Sequence, residues 1–178
     1  MKTSSNETLV DIILPNYNKS KFIEDAINSV ISQTYKNWHL YIIDDSSTDN
    51  SHEVINKFSN LKNVTVVKLN KNMGPAFCRN YGMRISQSKY ISFIDSDDGW
   101  TKNKLEKQIS FMEKNNFNFT YTDHTLFFNV NDQKKHEKKT NLKDFYDYNS
   151  FTKNSQINTT TMIITRSILG THRFKKVT

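Results

Sequence analysis

The feature that most constrains the fold is a regular alternation of short β-branched runs with segments of helical periodicity in the first 125 residues. In each helical segment the apolar residues recur every three to four positions, so that one face of the helix is apolar. Repeated β-α-β units predict a mainly parallel central sheet with helices on both faces, because each helix carries the chain back across the sheet. We therefore predict an α/β fold. Its first four strands are expected at residues 10–14, 40–43, 64–69 and 90–94.

The helix boundaries and the later elements give weaker signals. Asn18 or Ser20 can cap the first helix, since both side chains accept hydrogen bonds from free N–H groups. Pro75 suits the first turn of the third helix. Beyond the fourth helix we expect a fifth strand at residues 117–121 and a long polar loop at residues 131–156. A short helix is expected within that loop at 142–148, and a last strand follows at 159–165.

Polar clusters follow the first, second and fourth strands. Because ligands gather beyond the carboxyl ends of parallel strands, we expect the clusters to converge at one edge of the sheet. The last cluster packs three carboxylates into four residues, and such charges repel unless a cation or hydrogen-bond donors lie among them. Hard oxygen ligands suit Mg²⁺ or Mn²⁺, which commonly hold phosphates. The clusters are Asn16-Tyr17-Asn18, Asp44-Asp45-Ser46-Ser47-Thr48-Asp49 and Asp95-Ser96-Asp97-Asp98.

The net charge of +7 favours anionic partners, which are nucleic acid, acidic lipid or a phosphorylated substrate. The basic residues are scattered apart from one dense run at 134–139, which is either a solvated loop or a contact with an acidic membrane surface. We predict no nucleic-acid partner, because the most concentrated site is acidic and no known binding motif is present. A dinucleotide oxidoreductase is disfavoured as well, since no Gly-x-Gly-x-x-Gly follows the first strand.

The remaining bulk features predict a cytoplasmic protein. The single cysteine, Cys78, excludes an intrachain disulfide and is consistent with a reducing compartment. No apolar run approaches the roughly 18 residues of a membrane span. Residues 1–8 are polar, lack a signal-peptide core and are expected to form a flexible tail.

Four stretches taken together resemble the nucleotide-binding half of the family 2 glycosyltransferases, which have the Rossmann-like GT-A fold. The resemblance covers residues 9–125 well and the rest weakly. It implies a nucleotide-sugar-binding domain at 9–125 and a partial, truncated acceptor-side region at 126–178. The stretches are Leu14-Pro15-Asn16-Tyr17-Asn18, Asp44-Asp45-Ser46-Ser47-Thr48-Asp49, Gly74-Pro75-Ala76 with Arg79-Asn80 and Gly82, and Asp95-Ser96-Asp97-Asp98 with Trp100.

The resemblance implies that the first two clusters bind the nucleotide base. Pro15, Tyr17 and Asn18 would pack against it, with Tyr17 beside a uracil ring, since an aromatic face can stack on a base. The alternative is an ordinary strand-to-helix turn with Asn18 as the cap. Asp45, with Asp44 close by, would accept the N3–H of uracil, which cytosine lacks. The alternative is that these carboxylates belong to a helix N-cap set.

The resemblance also implies a diphosphate and metal site. Asp97 would ligate Mn²⁺ or Mg²⁺, with Asp98 as the next candidate. Asp95 would contact the ribose or reach the metal through water, and Ser96 lies between them. The alternative is a solvated acidic turn that caps the following helix. Arg79 either contacts a phosphate or braces the carboxylates, and both interpretations remain open.

The activity that the resemblance implies is inverting, metal-dependent transfer of a sugar from a UDP-sugar to a glycan or lipid-linked acceptor. In bacteria such enzymes build surface polysaccharides, which favours peripheral contact with the cytoplasmic face of the inner membrane. The general base of the family is an acidic residue, often in a Glu-Asp pair, and no Glu-Asp pair occurs between residue 125 and the terminus. We therefore expect the base beyond Thr178. Asp123 and His124 are weaker candidates that could face the acceptor. The alternative function is a truncated nucleotide-binding module without transfer activity.

Overall fold

The computed structural model describes residues 9–130, 133–143 and 157–175. Its strands are β1 Val10–Asn16, β2 Trp38–Asp44, β3 Val64–Lys68, β4 Tyr90–Phe93, β5 Phe119–Thr120, β6 Thr125–Val130, β7 Gln133–Lys139 and β8 Ile163–Thr165. Its helices are α1 Ile23–Ile31, α2 Ser51–Asn56, α3 Pro75–Ile85, α4 Lys104–Asn115 and α5 Arg166–Leu169, with a 3₁₀ turn at Thr159–Thr161.

The central sheet has six strands in the order β3-β2-β1-β4-β8-β5. The first four of these are parallel, and β8 runs antiparallel to both β4 and β5. The prediction of a mainly parallel sheet is confirmed. The chain moves outward from β1 through β2 to β3 and then returns to the other side of β1 for β4. A crevice for ligands opens where the strand order reverses in this way, at the carboxyl ends of β1 and β4.

Helices cover both faces of the sheet, as predicted. Successive residues of β1 point to opposite faces, so that Ile12 and Leu14 enter one core and Ile13 enters the other. The first core contains the apolar faces of α1, α2 and α4. The second is smaller, and Met83 of α3 and Leu169 of α5 pack there. In the described part of the chain, every helix is too short or too polar to cross a bilayer.

The region after β5 differs from the prediction. Residues 133–139 do not belong to a loop but form β7, which pairs antiparallel with β6 and has an irregularity between Phe128 and Asn129. Such a strand is held by main-chain hydrogen bonds, and its run of polar residues lacks the alternation that reveals a half-buried strand. Only Ile163–Thr165 of the predicted last strand is extended, because Thr159–Thr161 forms the 3₁₀ turn.

Other boundary predictions are corrected or lie outside the described residues. Neither Asn18 nor Ser20 caps α1, whose N-cap residue is Phe22. Instead, the Asn18 side-chain oxygen accepts the backbone N–H of Thr48 at 2.8 Å. The fifth strand is shorter than predicted, with two residues. The predicted tail at 1–8 and residues 144–148 of the predicted short helix lie outside the described part of the chain.

Gly82 allows α3 to pack closely on β1. A Cβ atom at this position would lie 2.5 Å from Cγ2 of Ile13, well inside van der Waals contact. We expect Gly82→Ala to lower the free energy of unfolding, since overpacking costs about 1–3 kcal/mol and exceeds the helical gain of alanine, about 1 kcal/mol. Urea unfolding measures the change. Gly99→Ala is the control, because its Cβ would meet only Ser29 at 4.0 Å. An unchanged Gly82→Ala variant would contradict the close packing.

Candidate functional site

A cleft of about 450 Å³ lies at the carboxyl ends of β1, β2 and β4. The predicted convergence of the polar clusters is therefore present in the fold. The predicted site residues that line the cleft are Pro15, Tyr17, Asp45, Arg79, Asp95, Ser96 and Asp97. Its walls also include Asn16, which belongs to the first predicted cluster, and residues to which the sequence analysis assigned no individual role in ligand binding: Lys19, Asn72, Gly74, Pro75 and Cys78.

Three predicted site residues, Asn18, Asp44 and the next candidate metal ligand Asp98, are not among the residues that line the cleft. Asp44 is fully buried and accepts hydrogen bonds from Nδ2 of Asn16 at 2.9 Å and from the Ser47 hydroxyl at 2.6 Å. Ser47 Oγ in turn accepts the backbone N–H of Asn18 at 3.0 Å. In this structure the side chains of Asn18 and Asp44 join the loop after β1 to the loop after β2, and so they shape the wall of the cleft.

Asp45 closes the rear of the cleft. Its two carboxylate oxygens accept the backbone N–H groups of Met73 and Gly74, at 2.7 and 2.8 Å. Gly74 has a φ of +88°, a backbone conformation that residues other than glycine rarely adopt. Burial, with a smaller effect of the Asp45 charge, raises the pKa of the neighbouring Cys78 thiol to about 12. Cys78 therefore stays protonated and forms an inert part of the wall.

Each of the two carboxylates at the front of the cleft has a cationic partner. Arg79 Nη2 donates to Asp95 at 2.5 Å, so that this arginine braces a carboxylate. Lys19 Nζ lies 2.7 Å from Asp97. The sequence analysis predicted no role for Lys19, although a basic residue directly after Asn18 is a reasonable counter-charge for an acidic cluster. The front of the cleft thus presents the carboxylates of Asp95 and Asp97, each beside a cationic side chain.

Two residues of the cleft wall carry a buried polar atom that has no hydrogen-bond partner within the described part of the chain: Oδ1 of Asn16 and Nε of Arg79. Nδ2 of Asn16 donates to the Asp44 carboxylate, which can only accept, so its Oδ1 must be the free acceptor. Buried polar groups are nearly always hydrogen-bonded in folded proteins. Asn16 lines the cleft, so its oxygen is an acceptor in the cleft wall that has no partner among the described residues.

The turn formed by residues 95–98, called the acidic turn below, carries ligands suited to a metal ion that binds together with phosphates. Within residues 9–130, 133–143 and 157–175, no group of three or more Asp, Glu, His or Cys side chains gathers as a complete metal site. Mg²⁺ is usually bound through one or two carboxylates together with substrate phosphates, so a complete protein cage is not required. Asp95 and Asp97 line one cleft and can supply those carboxylates.

Asp98 lies on the other side of the acidic turn, in a second cavity of about 380 Å³. Burial raises the pKa of this carboxyl, the Thr160 hydroxyl lowers it, and the charges of Asp95 and Asp97 raise it further. The second cavity is also lined by Trp100, Asp123 and His124. The two cavities share Asp97.

Thr160 fixes the acidic turn between the two cavities. Its hydroxyl donates to Asp98 and accepts the backbone N–H of Asp95, while its carbonyl accepts Nε1–H of Trp100 at 3.0 Å. Sequence reasoning missed this residue, because a threonine in a strand-like run gives no local signal of a contact with a turn 62 residues away.

The profile of Glycosyl transferase family 2 matches residues 11–173. The chain belongs to this family. Among curated relatives it is 36% identical over 172 residues to the E. coli protein "UDP-Glc:alpha-D-GlcNAc-diphosphoundecaprenol beta-1,3-glucosyltransferase WfgD", covering 95% of this chain and 65% of that protein. It is 34% identical over 163 residues to the Bacillus subtilis strain 168 protein provisionally named teichuronic acid biosynthesis glycosyltransferase TuaG, with 91% and 64% covered. The chain thus spans less than two thirds of either relative.

Solved structures show the same fold. The S. aureus TarS 1-349 structure in complex with UDP has a TM-score of 0.59 and 28% identity, and the match covers 62% of this chain and 33% of that one. The mannosyltransferase PcManGT of Pyrobaculum calidifontis gives a TM-score of 0.54 at 21% identity, with 58% of this chain and 32% of that one covered. The GT-A fold implied by the sequence motifs is therefore confirmed.

We expect Thr160→Val to loosen the acidic turn. The variant removes the hydroxyl that donates to the half-buried Asp98 carboxylate, and a hydrogen bond to a charged group contributes about 1.5–3 kcal/mol. The free energy of unfolding should fall by a comparable amount in urea titrations. Thr159→Val, in the same 3₁₀ turn, controls for the loss of a hydroxyl. Equal stability of the two variants would contradict the role of Thr160.

The buried Lys104 side chain should make stability depend on pH. Burial lowers its pKa from 10.5 to about 7 in the folded chain. Between these values the unfolded chain binds more protons, so this lysine makes the free energy of unfolding rise with pH. Denaturant titrations at pH 7 and pH 9 should show a larger rise for the wild type than for Lys104→Met. The raised pKa of Cys78 opposes the rise from about pH 9 upward but cancels in this comparison. Equal slopes would contradict the lowered pKa.

Proposed function

We propose that this chain is the donor-binding part of an inverting, metal-dependent glycosyltransferase that moves a sugar from a UDP-sugar to a glycan or lipid-linked acceptor in bacterial surface polysaccharide synthesis. The observation that carries the proposal is the gathering of Asp45, Arg79, Asp95 and Asp97 in one cleft, beside the free oxygen of Asn16. The printed name of WfgD includes UDP-Glc and a diphosphoundecaprenol acceptor, and TarS structures contain UDP or UDP-GlcNAc.

In this proposal the base of UDP lies between Tyr17 and the rear wall. Tyr17 is 44% exposed at the mouth of the cleft, where its ring is available for stacking on a base. Asp45 is held by two backbone N–H groups, and each of its oxygens keeps a further lone pair for the N3–H of uracil. Oδ1 of Asn16 is a second acceptor for a nucleoside N–H or hydroxyl.

Asp97 and Asp95 would hold Mn²⁺ or Mg²⁺ together with the diphosphate. The ion, when bound, offsets the negative charge that grows on the leaving diphosphate. Lys19 and Arg79 already lie at these carboxylates and are the cations of this wall that can donate to phosphate oxygens. Exchange of a carboxylate partner for a phosphate partner would keep each charge paired. In this proposal Arg79 braces Asp95 before the ligand binds and contacts a phosphate once the ligand is bound, so both interpretations of this residue apply.

The acceptor side belongs to residues 126–178 and to the second cavity in this proposal. Transfer requires a general base that takes the proton of the attacking hydroxyl. We assign the role of general base to none of the described side chains. Asp98 accepts a hydrogen bond from the Thr160 hydroxyl, and Nδ1 of His124 shares a hydrogen bond with the Thr140 hydroxyl. Binding of the nucleotide without transfer is therefore the second candidate function. A transfer assay alongside nucleotide binding separates the two.

The lipid-linked acceptor of WfgD supports action at the cytoplasmic face of the inner membrane. The basic run at residues 134–139, which carries the charge for contact with an acidic surface, lies in or beside β7. The side chains of 134–138 are not described, so this part of the proposal is based on the charge in the sequence.

Calorimetry with UDP, GDP and dTDP, each with and without Mn²⁺, tests the donor site. We expect UDP to bind more tightly than GDP and Mn²⁺ to strengthen its binding. Asp97→Ala should abolish the effect of Mn²⁺, a loss of at least about tenfold in affinity, or about 1.4 kcal/mol.

Asp25→Ala is the matched control, because Asp25 is an exposed acid on α1. Its UDP affinity should equal that of the wild type. If Asp97→Ala retained full Mn²⁺-dependent UDP binding, the metal assignment would be rejected. If none of the three nucleotides bound, the donor site itself would be rejected.

A further inference from the structure

The second cavity contains the buried ammonium of Lys104, which forms no ion pair with any described residue although Asp97, Asp98 and Asp123 also line the cavity. Lys104 is only 8% exposed, and its ammonium lies 4.2 Å from the centre of the Trp100 ring. Buried lysines nearly always have a charged partner. The position is also unfavourable for a cation because Lys104 is the first residue of α4, where the helix dipole is positive.

Neighbouring side chains hold the ammonium in place. Nζ of Lys104 donates to Oε1 of Gln108 at 2.9 Å. Gln108 cannot turn away, since its Nε2 donates to the Thr120 hydroxyl at 3.0 Å and to the Thr161 carbonyl at 3.1 Å. The ammonium has three N–H donors, and Gln108 accepts one of them. This fixed and costly arrangement leaves donor capacity beside a cavity that Lys104 itself lines.

The other walls of the cavity suit a sugar. The edge of the Trp100 ring lines the cavity together with Thr101, Thr122 and Asn158, and the carboxylates of Asp97, Asp98 and Asp123 can accept hydrogen bonds from sugar hydroxyls. Asp97 belongs to the walls of both cavities, so a molecule in the second one would lie next to the proposed UDP-sugar. The second cavity therefore combines sugar-binding surface, one fixed cation and access to the donor cleft.

We propose that the second cavity binds a sugar that carries an anionic group, a phosphate or a carboxylate, and that Lys104 recognises this group. The inference rests on the proposed function for the identity of the occupant as the sugar acceptor. A bound anion supplies the missing counter-charge. It also offsets the burial that lowers the pKa of Lys104 to about 7, so the complex keeps the lysine protonated.

The indole N–H signal of Trp100 in ¹H–¹⁵N spectra reports occupation of the cavity. The chain has two tryptophans, and Trp38→Phe assigns the two signals. At pH 6.5, with the donor cleft saturated by UDP and Mn²⁺, we titrate glucose 1-phosphate, glucuronate and uncharged methyl glucoside. We expect saturable shifts with at least one charged sugar and at least tenfold weaker binding of methyl glucoside. The charged sugar that binds more tightly identifies the anion.

Variants then test the lysine. Lys104→Met should weaken binding of the charged sugar at least tenfold, whereas Lys104→Arg should largely retain it. Lys107→Met, which removes an exposed charge from the same helix, should bind like the wild type. Equal affinities of Lys104→Met and the wild type would overturn the proposal. UDP affinity reports whether each variant is folded, and the comparison of sugars on the wild type needs no variant.

The outcomes separate this inference from the proposed function. Normal UDP binding without any shift by a charged sugar, or with equal binding of methyl glucoside, overturns the Lys104 site alone. Failure of UDP binding overturns the donor site, and the sugar titrations are then repeated without nucleotide. Saturable, Lys104-dependent binding of a charged sugar in that experiment would still support an anion site.

Discussion

The parallel pairing of β1 with both β2 and β4 is the constraint on which the rest of the structure depends. Its register places Asn16 opposite Asp44 at the ends of β1 and β2. On the other side Ile13 pairs with Phe93, and the N–H of Ile94 still donates to the Ile13 carbonyl. The acidic turn therefore starts beside the last residues of β1. A slip of one residue in either pairing would turn the side chains to opposite faces and separate these groups.

Charge pairing explains how this edge tolerates so many acids in the absence of ligand. Asp44 and Asp45 are buried and satisfied by neutral donors, whereas Asp95 and Asp97 have cationic partners and greater exposure. The first kind holds loops in place. Of the second kind, the Lys19–Asp97 pair is exposed and can exchange partners at low cost, since exposed ion pairs contribute little to stability, whereas the Arg79–Asp95 pair is half-buried. The same sequence signal, a carboxylate after a strand, thus produced two structural roles. Burial, which the sequence does not reveal, separates them.

Periodicity predicted the fold because burial of one face leaves a local trace, as in the alternation of Ile12, Ile13 and Leu14 along β1. The contacts that complete the site leave no such trace. Lys19 and Asp97 are 78 residues apart, and Thr160 meets the backbone of a residue 65 positions earlier. β7 was missed because a strand held by main-chain pairing needs no apolar alternation. Family motifs identified seven of the cleft residues, but which carboxylates face the cleft required the tertiary structure.

The acidic turn couples the two cavities mechanically. Asp95 and Asp98 are joined through the one hydroxyl of Thr160, and Asp97 between them lines both spaces. In the proposed function a metal ion would replace Lys19 at Asp97 and Arg79 at Asp95, and this change would act on a turn whose other end forms the wall of the second cavity. Trp100 donates to the carbonyl of the same threonine and packs on Lys104. Occupation of the donor cleft and the position of the buried cation are thus connected by a short chain of direct contacts.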